Sequence, residues 1–590
     1  MGPPGCVAAR FVRSLRLCVS VAALRWAAAL APPDAAAAAA APAYSREGMV
    51  VTSQADATRA GVAMLAAGGN AVDAAVAAAF ALSVTQPFSA GLGGGAFILI
   101  RLADGEVVAI DARETAPAAA DRDMYVRPGV PERASLAGPL AVATPGFVLG
   151  LAAAQEQHGR LSLARVLRPA LHLAEHGFAI GPHHARMLER VRGYGLPDRF
   201  PETARIQFPP AGAPAEPGWR LVQPELAKTL RRIARSGPDG FYDGPVARAI
   251  AADVKRRGGL LTEADLAGYE LRYHEPVLGR YRGYEIAAFP PVSSGGVAVI
   301  EALNILEGFD LARHGAGSSA GIHRITEAMK FAFADRAAYL GDPDFVDVPV
   351  QALTAKPYAA GLRARINPPR FRRAPWTWGR GEVAVTLRGP GLPQNDSGTT
   401  HLSTTDAAGN AVALTMTINT PFGSGITVPG TGILLNNEMD DFAAAPDKPN
   451  VYGLVDTRGA NAIAPGKRPL SSMTPTVVTK DGALFMVTGS PGGPRIISTV
   501  LLTLVNVIDY GMDVQQAVAA PRFHHQWVPD VLHVEPDTPR DVVRGLEERG
   551  HTLKVSPRNW SAAEAIVVDA KTGWHYGGSD PRRDGLAQGP

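Results

Sequence analysis

The order of apolar and polar positions changes twice along this chain, and each change predicts a different kind of element. Residues 56–82 carry apolar side chains at helical spacing and predict two alanine-rich helices separated by Gly68-Gly69. A glycine loop then leads into a predicted strand over Ala96–Leu102, and a second strand ends at 111–113. The chain from 160 to 260 predicts mainly helices, and 320–341 predicts an amphipathic helix.

After residue 397 the pattern becomes strand-like. Thr400–Thr405 and Asn410–Asn419 alternate with a period of two, and further strands are predicted at 474–479 and 483–488, before a helix over 494–510. The segment 365–397 lacks periodicity and is rich in Pro, Gly and Arg, which is typical of a surface linker. Strands enclosed by helical regions predict an α/β (α+β) chain with a four-layer αββα sandwich.

Composition limits the functional class. The chain has 590 residues, of which 46% are hydrophobic and 19% charged, and its formal net charge is +3. These values indicate a globular protein and argue against nucleic-acid binding, since no long basic run follows the N-terminal region. No later segment reaches the roughly 20 apolar residues of a membrane helix.

The N-terminus resembles an export signal. Arg10, Arg13 and Arg16 precede an apolar stretch, and the small residues Ala41-Pro42-Ala43 end an alanine-rich run. We therefore expect residues 1–43 to be a removable leader and the protein to be periplasmic or secreted. A disordered alanine-rich tail is the alternative, which Arg25 favours by interrupting the apolar stretch. Both cysteines, Cys6 and Cys18, lie in this leader, so they do not report the redox compartment.

Two short motifs match known ligand-binding patterns, but the elements predicted around them do not fit those patterns. Gly91-Leu92-Gly93-Gly94-Gly95-Ala96 contains GxGxxA, but here a helix precedes and a strand follows, the reverse of a dinucleotide site. We interpret these glycines as permitting close backbone approach. His172-Leu173-Ala174-Glu175-His176 matches an inverted zinc-protease string, yet Gly177 ends the helix and no third carboxylate stands out, so a solvated helix face is expected.

Two further motifs also fail. His524 and His525 would point to opposite sides of a strand, so they could not chelate one ion from there. Gly489-Ser490-Pro491-Gly492 lacks the first glycine of a GxSxG nucleophile elbow, because Thr488 occupies that position.

Thr399 is the strongest candidate nucleophile. A threonine hydroxyl needs a neighbouring base, and its own α-amine can serve if the chain is cut between Gly398 and Thr399. That amine, with a free pKa of about 7.7–8.0, could act as a base at neutral pH. The adjacent glycines Gly492 and Gly493 could offer backbone N–H donors to an oxyanion.

Other polar residues could bind the two ends of an amino acid. Arg113, Ser471 and Ser472 have the chemistry of carboxylate binders, since a guanidinium is bidentate and permanently charged. Asn419, Glu438 and Asp441 offer acceptors for an ammonium group. Taken singly, each has a plain alternative: Asn419 could cap a turn, and the acidic residues could form a solvated loop.

Together these segments resemble the γ-glutamyltranspeptidases, which are N-terminal-nucleophile hydrolases of αββα fold. The resemblance spans residues 47–585 in collinear order. It rests on GGNAVDAAVA, GLGGGAF, DARETAP, TTH at 399–401, INTPFG, GILLNNEMDDF, PNVYGLV, KRPLSSMTPT, TGSPGG and APRFHHQW. Glu438 stands where several bacterial members have Gln, and Pro421 where others have a hydroxyl.

The resemblance implies autocatalytic cleavage at Gly398-Thr399 into a large subunit, 44–398, and a small subunit, 399–590. Thr399 would then take the γ-glutamyl group of glutathione or a related donor and pass it to water, an amino acid or a dipeptide. Thr417 would support the nucleophile, Gly492 and Gly493 would form the oxyanion hole, and Tyr452 would be a lid. Arg113, Ser471 and Ser472 would hold the donor carboxylate, and Asn419, Glu438 and Asp441 its amine. No cofactor or metal is expected.

Three alternatives remain open. A cephalosporin or glutaryl acylase would share the fold, but an acidic Asp441 suits an ammonium that a glutaryl group lacks. A poly-γ-glutamate depolymerase would need an open groove, which the expected lid at Tyr452 disfavours. An unprocessed exported binding protein would not need the complete set of candidate catalytic residues.

Overall fold

The computed structural model describes residues 1–2, 41–210, 213–366, 398–445 and 449–590. The chain divides into two compact units, Met1–Ala41 and Pro42–Pro590, and the architecture below is that of the second. The predicted linker from residue 367 onward and the predicted leader over 3–40, with both cysteines, lie outside the described residues.

Two seven-stranded antiparallel sheets form the centre of the molecule. Sheet 1 contains Thr399 and runs in the order Leu586–Gln588, Gly48–Thr52, Thr399–Asp406, Ala411–Thr417, Gly95–Arg101, Val107–Ala112 and Arg272–His274. Sheet 2 runs in the order Ala43–Ser45, Trp574–Ser579, Glu564–Asp569, Ala483–Gly489, Thr476–Lys480, Tyr284–Ala288 and Val277–Tyr281.

Alternate residues of one strand of sheet 1 pack into two different cores, one on each face of the sheet. In Gly95–Arg101, Ile98 and Ile100 pack into a core with the helices outside sheet 1, whereas Phe97 and Leu99 pack into the core that includes sheet 2. Phe97 stacks on Phe289 at 4.1 Å between ring centroids. Because strand side chains alternate between faces, a strand buried on both sides is apolar throughout. The predicted αββα sandwich is confirmed.

Helices cover both outer faces. The core outside sheet 1 is built from Ala55–Ala66, Ala71–Thr85, Phe147–His158, Leu163–Val166, Arg168–His176, Pro182–Arg192, Leu196–Arg199, Pro201–Gln207, Pro224–Ser236, Asp239–Tyr242, Gly244–Arg256 and Glu263–Ala267. The core outside sheet 2 is built from Gly295–Leu306, Ser319–Tyr339, Val350–Leu353, Lys356–Arg363, Arg495–Ile508, Val514–Ala519 and Arg540–Glu547.

Smaller elements connect these layers. Two short sheets pair Phe178–Ala179 with Arg220–Leu221 and Thr427–Val428 with Ile433–Leu434. In a third, Leu532–Val534 lies between Phe523–His524 and Leu553–Val555. The 3₁₀ turns are Pro139–Ala141, Ala312–His314 and Glu438–Asp441. Within the part of the chain that the structure describes, no helix is both long and apolar enough to cross a membrane.

The predicted elements agree with the structure, apart from the burial of one helix. The break at Gly68-Gly69 is confirmed: Gly68 has φ +85°, and Asn70 with Asp73 forms a capping box that starts the next helix. Ser319–Tyr339 is a helix as predicted, but it is not exposed on one side, since none of its residues is exposed. It is enclosed because it packs against Gly295–Leu306 and also against Arg540–Glu547.

Both sheets draw strands from each side of residue 398. Thr399–Asp406 lies between Gly48–Thr52 and Ala411–Thr417, so a strand that begins at Thr399 is paired along both edges. This arrangement buries the N-terminal end of that strand in the middle of the sandwich. The segments before and after residue 398 therefore share one core.

Candidate active site

Thr399 is the first residue of its strand and is 4% exposed. It lies directly opposite Thr417 in the ladder, and the two side-chain oxygens are 2.9 Å apart. Since side chains alternate, Thr399 and His401 share the face toward sheet 2, whereas Thr400 turns to the other face and contacts Ser53. The threonine pair therefore separates into one hydroxyl at a cavity and one in the packed helix–sheet layer.

The carbonyl of Gly398 receives two hydrogen bonds. The Thr417 hydroxyl donates to it at 2.9 Å, and the Ile418 N–H donates at 3.1 Å. The same Thr417 oxygen accepts from the Asn419 N–H at 2.8 Å. Because a hydroxyl has only one proton, Thr399 must be the donor in its bond to Thr417. Two donors on one carbonyl favour negative charge developing on that oxygen.

Gly398 is held where no side chain fits. A Cβ at this position would lie 2.2 Å from the carbonyl oxygen of Thr420. The glycine loop before the strand Gly95–Arg101 is similar: a Cβ on Gly94 would lie 2.0 Å from the carbonyl oxygen of Thr417, and one on Gly93 would lie 2.3 Å from the carbonyl oxygen of Leu434. The predicted close backbone approach of the glycine loop is thus confirmed, and this loop supports the turn that follows Thr417.

Arg113 follows the strand Val107–Ala112 and is 1% exposed. Its guanidinium pairs with Glu438 and, at 2.5 Å, with Asp441. Nε donates to the Pro469 carbonyl at 3.1 Å, and the carbonyl of Arg113 itself accepts from the Tyr269 hydroxyl. The candidate carboxylate binder and two candidate amine binders are therefore paired with one another.

The charges in this cluster are unbalanced. Glu114 also faces Arg113, at 3.6 Å, so three carboxyls surround one guanidinium, of which Glu114 and Glu438 are fully buried and Asp441 is 13% exposed. Burial raises the pKa of Glu114 to about 8, and burial likewise raises the pKa of Glu438 and of Asp441. Burial alone would lower the pKa of Arg113, but the neighbouring carboxylates raise it. A cationic group placed beside these carboxyls would relieve their mutual repulsion.

Ser471 and Ser472 lie on a buried segment next to Arg113. The Ser471 carbonyl accepts from both the backbone N–H and the hydroxyl of Ser294, and the Ser471 hydroxyl accepts from the Met473 N–H at 3.1 Å. Ser472 is 8% exposed. Both serines line the same cavity as Arg113.

Asn419 and Tyr452 close one side of the cavity. Asn419 has φ +73°, a left-handed conformation that asparagine tolerates better than most residues. Its amide nitrogen donates to the Asn437 carbonyl at 2.9 Å, which leaves Oδ1 to accept from the Tyr452 hydroxyl at 2.8 Å. Gln526 in turn donates to the Tyr452 carbonyl at 3.1 Å.

Gly492 and Gly493 precede the helix Arg495–Ile508 and have φ +140° and +57°. A Cβ on Gly492 would meet the Ser561 hydroxyl, and one on Gly493 would meet the Tyr452 ring. Gly493 lines the cavity directly. The position at a helix N-terminus adds a favourable dipole for negative charge.

One cavity gathers ten of the twelve predicted site residues, all except Gly398 and Gly492, which adjoin Thr399 and Gly493 along the chain. Four apolar residues that sequence reasoning missed complete its wall: Leu454, Leu470, Met473 and Ile496. Glu114 was also missed, although it lies inside the DARETAP motif. Apolar residues that line a cavity cannot be recognised from the sequence, because their spacing is the same as that of ordinary core residues.

The side chains of the other motifs do not line this cavity. Glu175 pairs with Arg231, and His172 and His176 are exposed on the helix Arg168–His176. His524 contacts Ser498, whereas His525 contacts Asp530, so the two rings have separate partners. Ser490 donates to the Pro491 carbonyl.

Comparison with known proteins supplies the family. The sequence profile of the Gamma-glutamyltranspeptidase family matches residues 57–589. The chain is 47% identical over 545 residues to the glutathione hydrolase proenzyme of Escherichia coli (strain K12), covering 92% of this chain and 91% of that protein.

Acylases of the same fold are also similar. The chain is 41% identical over 538 residues to the acylase ACY 1 proenzyme of Pseudomonas sp. (strain SE83), covering 90% of this chain and 91% of that protein. The crystal structure of cephalosporin acylase from Bacillus halodurans matches with a TM-score of 0.79 at 30% identity, covering 95% of this chain and 99% of that one. Because the family profile spans most of the sequence, this chain belongs to the γ-glutamyltranspeptidase family of enzymes.

Proposed function

We propose that this enzyme cleaves γ-glutamyl amides such as glutathione through a γ-glutamyl ester on Thr399. Water, an amino acid or a dipeptide then attacks this ester and takes the γ-glutamyl group, which regenerates the Thr399 hydroxyl. The observation that carries this proposal is the position of the Thr399 hydroxyl, hydrogen-bonded to Thr417 at the edge of a cavity that also contains Arg113, Glu438 and Asp441. The nucleophile and the residues proposed to bind the amino-acid head group of the donor thus line the same cavity.

The first step is self-cleavage. The Thr399 oxygen attacks the Gly398 carbonyl carbon, a C–O bond forms, and the C–N bond to Thr399 breaks while its nitrogen takes the hydroxyl proton. Thr417 and the Ile418 N–H are placed to stabilise the oxyanion on Gly398. Water then hydrolyses the ester, leaving a carboxylate on Gly398 and a free amine on Thr399. That amine is the base for later turnovers.

In the second step the Thr399 amine takes the hydroxyl proton as the oxygen attacks the γ-carbonyl of the donor. The leaving amine receives that proton, and water or an acceptor amine resolves the ester. Backbone N–H groups at Gly492 and Gly493 would stabilise the oxyanion, since they lie just before the N-terminus of the helix Arg495–Ile508.

Binding of the donor would replace the ion pairs of Arg113 with Glu438 and Asp441 by ion pairs with the donor. The donor carboxylate replaces Glu438 and Asp441 on the Arg113 guanidinium, with Ser471 and Ser472 beside it. The donor ammonium then occupies the space between the two displaced carboxylates and Asn419. A zwitterion can make both exchanges at once, so each buried charge keeps a partner. The apolar wall suits the methylene groups of a glutamyl side chain.

The proposed organisation follows from the cut. Residues 44–398 form the large subunit and 399–590 the small one, and the shared sheets keep them together by buried apolar surface. Residues 1–43 are a leader that directs the protein to the periplasm or outside the cell. Tyr452, hydrogen-bonded to Asn419, acts as the lid over the donor.

Acylase activity is the second candidate, since an acylase is among the similar proteins. Glu438 and Asp441 favour the glutamyl donor, because an ammonium balances buried carboxyls and a glutaryl group has none. A polymer depolymerase is disfavoured by the hydrogen bond of Tyr452 across the cavity. A binding protein without activity would not need Thr399 beside Thr417.

The direct test is the mass of the purified protein and the N-terminus of its small fragment. We expect two fragments, one beginning Thr-Thr-His-Leu, with release of γ-glutamyl groups from γ-glutamyl-p-nitroanilide. Thr399→Ala should remain one uncut, inactive chain. Thr400→Ala is the matched control, because Thr400 contacts Ser53 on the opposite face and should still be cut. A Thr399→Ala protein that is cut and active would refute the mechanism.

A further inference from the structure

A second group of reactive side chains lies outside the active site, on the helix Ser319–Tyr339. His323 and Glu327 are four residues apart on this helix, so both project from one face. His551 reaches the same point from the turn after the helix Arg540–Glu547, where its N–H donates to the Leu546 carbonyl. The three side chains converge although 224 residues separate Glu327 from His551.

The geometry of this trio is that of a metal-ligand set. One ligand atom from each residue lies within 4.8 Å of the other two, and across the described ranges no further group of three His, Cys, Asp or Glu residues meets this condition. His323 Nδ1 and His551 Nε2 are 2.8 Å apart. Ligands at 2.0–2.1 Å around tetrahedral zinc lie about 3.4 Å apart, so side-chain shifts of about 1 Å would complete the site.

The chemical state of the ligands also fits. His323 and His551 are 5% and 9% exposed, and burial of an imidazole favours its neutral form. Neutral imidazole is the form that binds metals. The two rings share one proton between them in their hydrogen bond, and that proton must move to the far nitrogen of its ring before both can ligate.

Two charged residues lie beside Glu327: Lys330, a cation that competes with a metal ion for this carboxylate, and Asp530. Lys330 donates to Glu327 Oε1 at 2.9 Å and also pairs with Asp530, whose carboxylate is 77% exposed. A carboxylate has two oxygens, so one can keep Lys330 while the other ligates. Asp530 at the rim pairs with both Lys330 and His525, so it offsets part of the positive charge beside the half-buried Glu327.

We propose that His323, Glu327 and His551 form a Zn²⁺ site with an open fourth position for water. Two imidazoles and one carboxylate are a ligand set that zinc accepts. If the chain is cut at Gly398-Thr399, as proposed above, His323 and Glu327 belong to the large subunit and His551 to the small one. The ion then joins the two subunits at a point separate from the catalytic cavity.

The test uses the processed protein, stripped with EDTA and titrated with Zn²⁺ alone by calorimetry. We expect one Zn²⁺ per chain. Glu327→Gln and His551→Gln should each weaken binding by at least about tenfold, the cost of disturbing even an indirect metal contact. Both variants keep a polar side chain of similar size, and an unchanged urea midpoint without zinc establishes that they are folded.

His172 and His176 provide the matched control. They are exposed imidazoles four residues apart on another helix, with ring centroids 4.3 Å apart, so they could bind zinc adventitiously. His172→Gln/His176→Gln should leave the Zn²⁺ stoichiometry and affinity unchanged. Absence of binding by the parent protein, or binding lost only in this control variant, would overturn the proposal.

Stability gives an independent readout. A ligand bound by both subunits stabilises their complex by mass action. Zn²⁺ should therefore raise the urea midpoint for subunit separation in the parent protein and in the His172/His176 control. At the same Zn²⁺ concentration the rise should be smaller in Glu327→Gln, and an equal rise there would overturn the assignment.

Discussion

The side-chain oxygens of Thr399 and Thr417 lie 2.9 Å apart, and the Thr417 hydroxyl also donates to the carbonyl of Gly398 at 2.9 Å. One hydroxyl thereby contacts both the nucleophile and the bond it is proposed to cut. The cross-strand pairing of Thr399 with Thr417 fixes this geometry. Several expected outcomes depend on it.

Removing the Thr417 hydroxyl should slow self-cleavage. We expect Thr417→Ala to reduce the rate by about 10²–10³-fold, the typical effect of losing one oxyanion donor. Thr417→Ser keeps the hydroxyl and should recover most of the rate. The measurement is the time course of fragment formation on denaturing gels. An equally slow serine variant would indicate a packing effect and count against the donor role.

Gly398 should not tolerate a side chain. A Cβ there would lie 2.2 Å from the Thr420 oxygen, so Gly398→Ala must displace the backbone next to Thr399 and should impair cleavage. Gly361→Ala is the control, because a Cβ at that helix position meets nothing within 4 Å. The processed fraction after purification distinguishes the two. Normal cleavage of Gly398→Ala would show that this close contact does not control the reaction.

Arg113 should govern donor affinity. We expect Arg113→Ala to weaken binding of γ-glutamyl-p-nitroanilide by about 2–5 kcal/mol, the usual cost of leaving one member of a buried charge pair unpartnered. The donor affinity of Arg113→Lys should lie between those of the parent enzyme and Arg113→Ala, since an ammonium keeps the charge but lacks the bidentate fork. KM and kcat measured on processed protein test this. An unchanged KM would refute the assignment of the donor carboxylate to Arg113.

Asp441 should set the preference between glutamyl and glutaryl amides. Asp441→Asn removes one negative charge that would face the ammonium of a glutamyl donor. A glutaryl group has no ammonium, so its binding should not depend on that charge. We expect the kcat/KM ratio of glutamyl to glutaryl p-nitroanilide to fall at least about tenfold, or 1.4 kcal/mol. Competition between the two substrates in one reaction gives this ratio directly. A ratio equal to that of the parent enzyme would contradict the role.

Donor affinity should depend on pH. Burial raises the pKa values of Glu438 and Asp441, so these carboxyls hold their protons to higher pH than exposed ones. Loss of those protons as pH rises creates the charge that attracts the donor ammonium, and KM for the glutamyl substrate should therefore fall with rising pH. Glutaryl p-nitroanilide is the matched substrate, and its KM should not fall in parallel. A parallel decline would point to another titrating group.

The order and type of the main elements could be predicted from the sequence because periodicity is local. The helices on either side of Gly68-Gly69 and the strand that begins near Thr400 follow from spacing alone. The helix Ser319–Tyr339 was predicted too, but not its burial on every side, because a second covering layer comes from Arg540–Glu547, far along the chain.

The sequence by itself determined the family, the elements and the identities of the candidate residues, since ordered motifs and spacing are properties of the chain. Only the tertiary structure decided which of them meet. Arg113 lies 325 residues from Glu438, yet the two are paired, and no local pattern records that pairing. The same holds for His323 and His551, 228 residues apart and 2.8 Å from ring nitrogen to ring nitrogen. Such contacts depend on how the two sheets and their helices pack, because burial brings together groups that are distant along the chain.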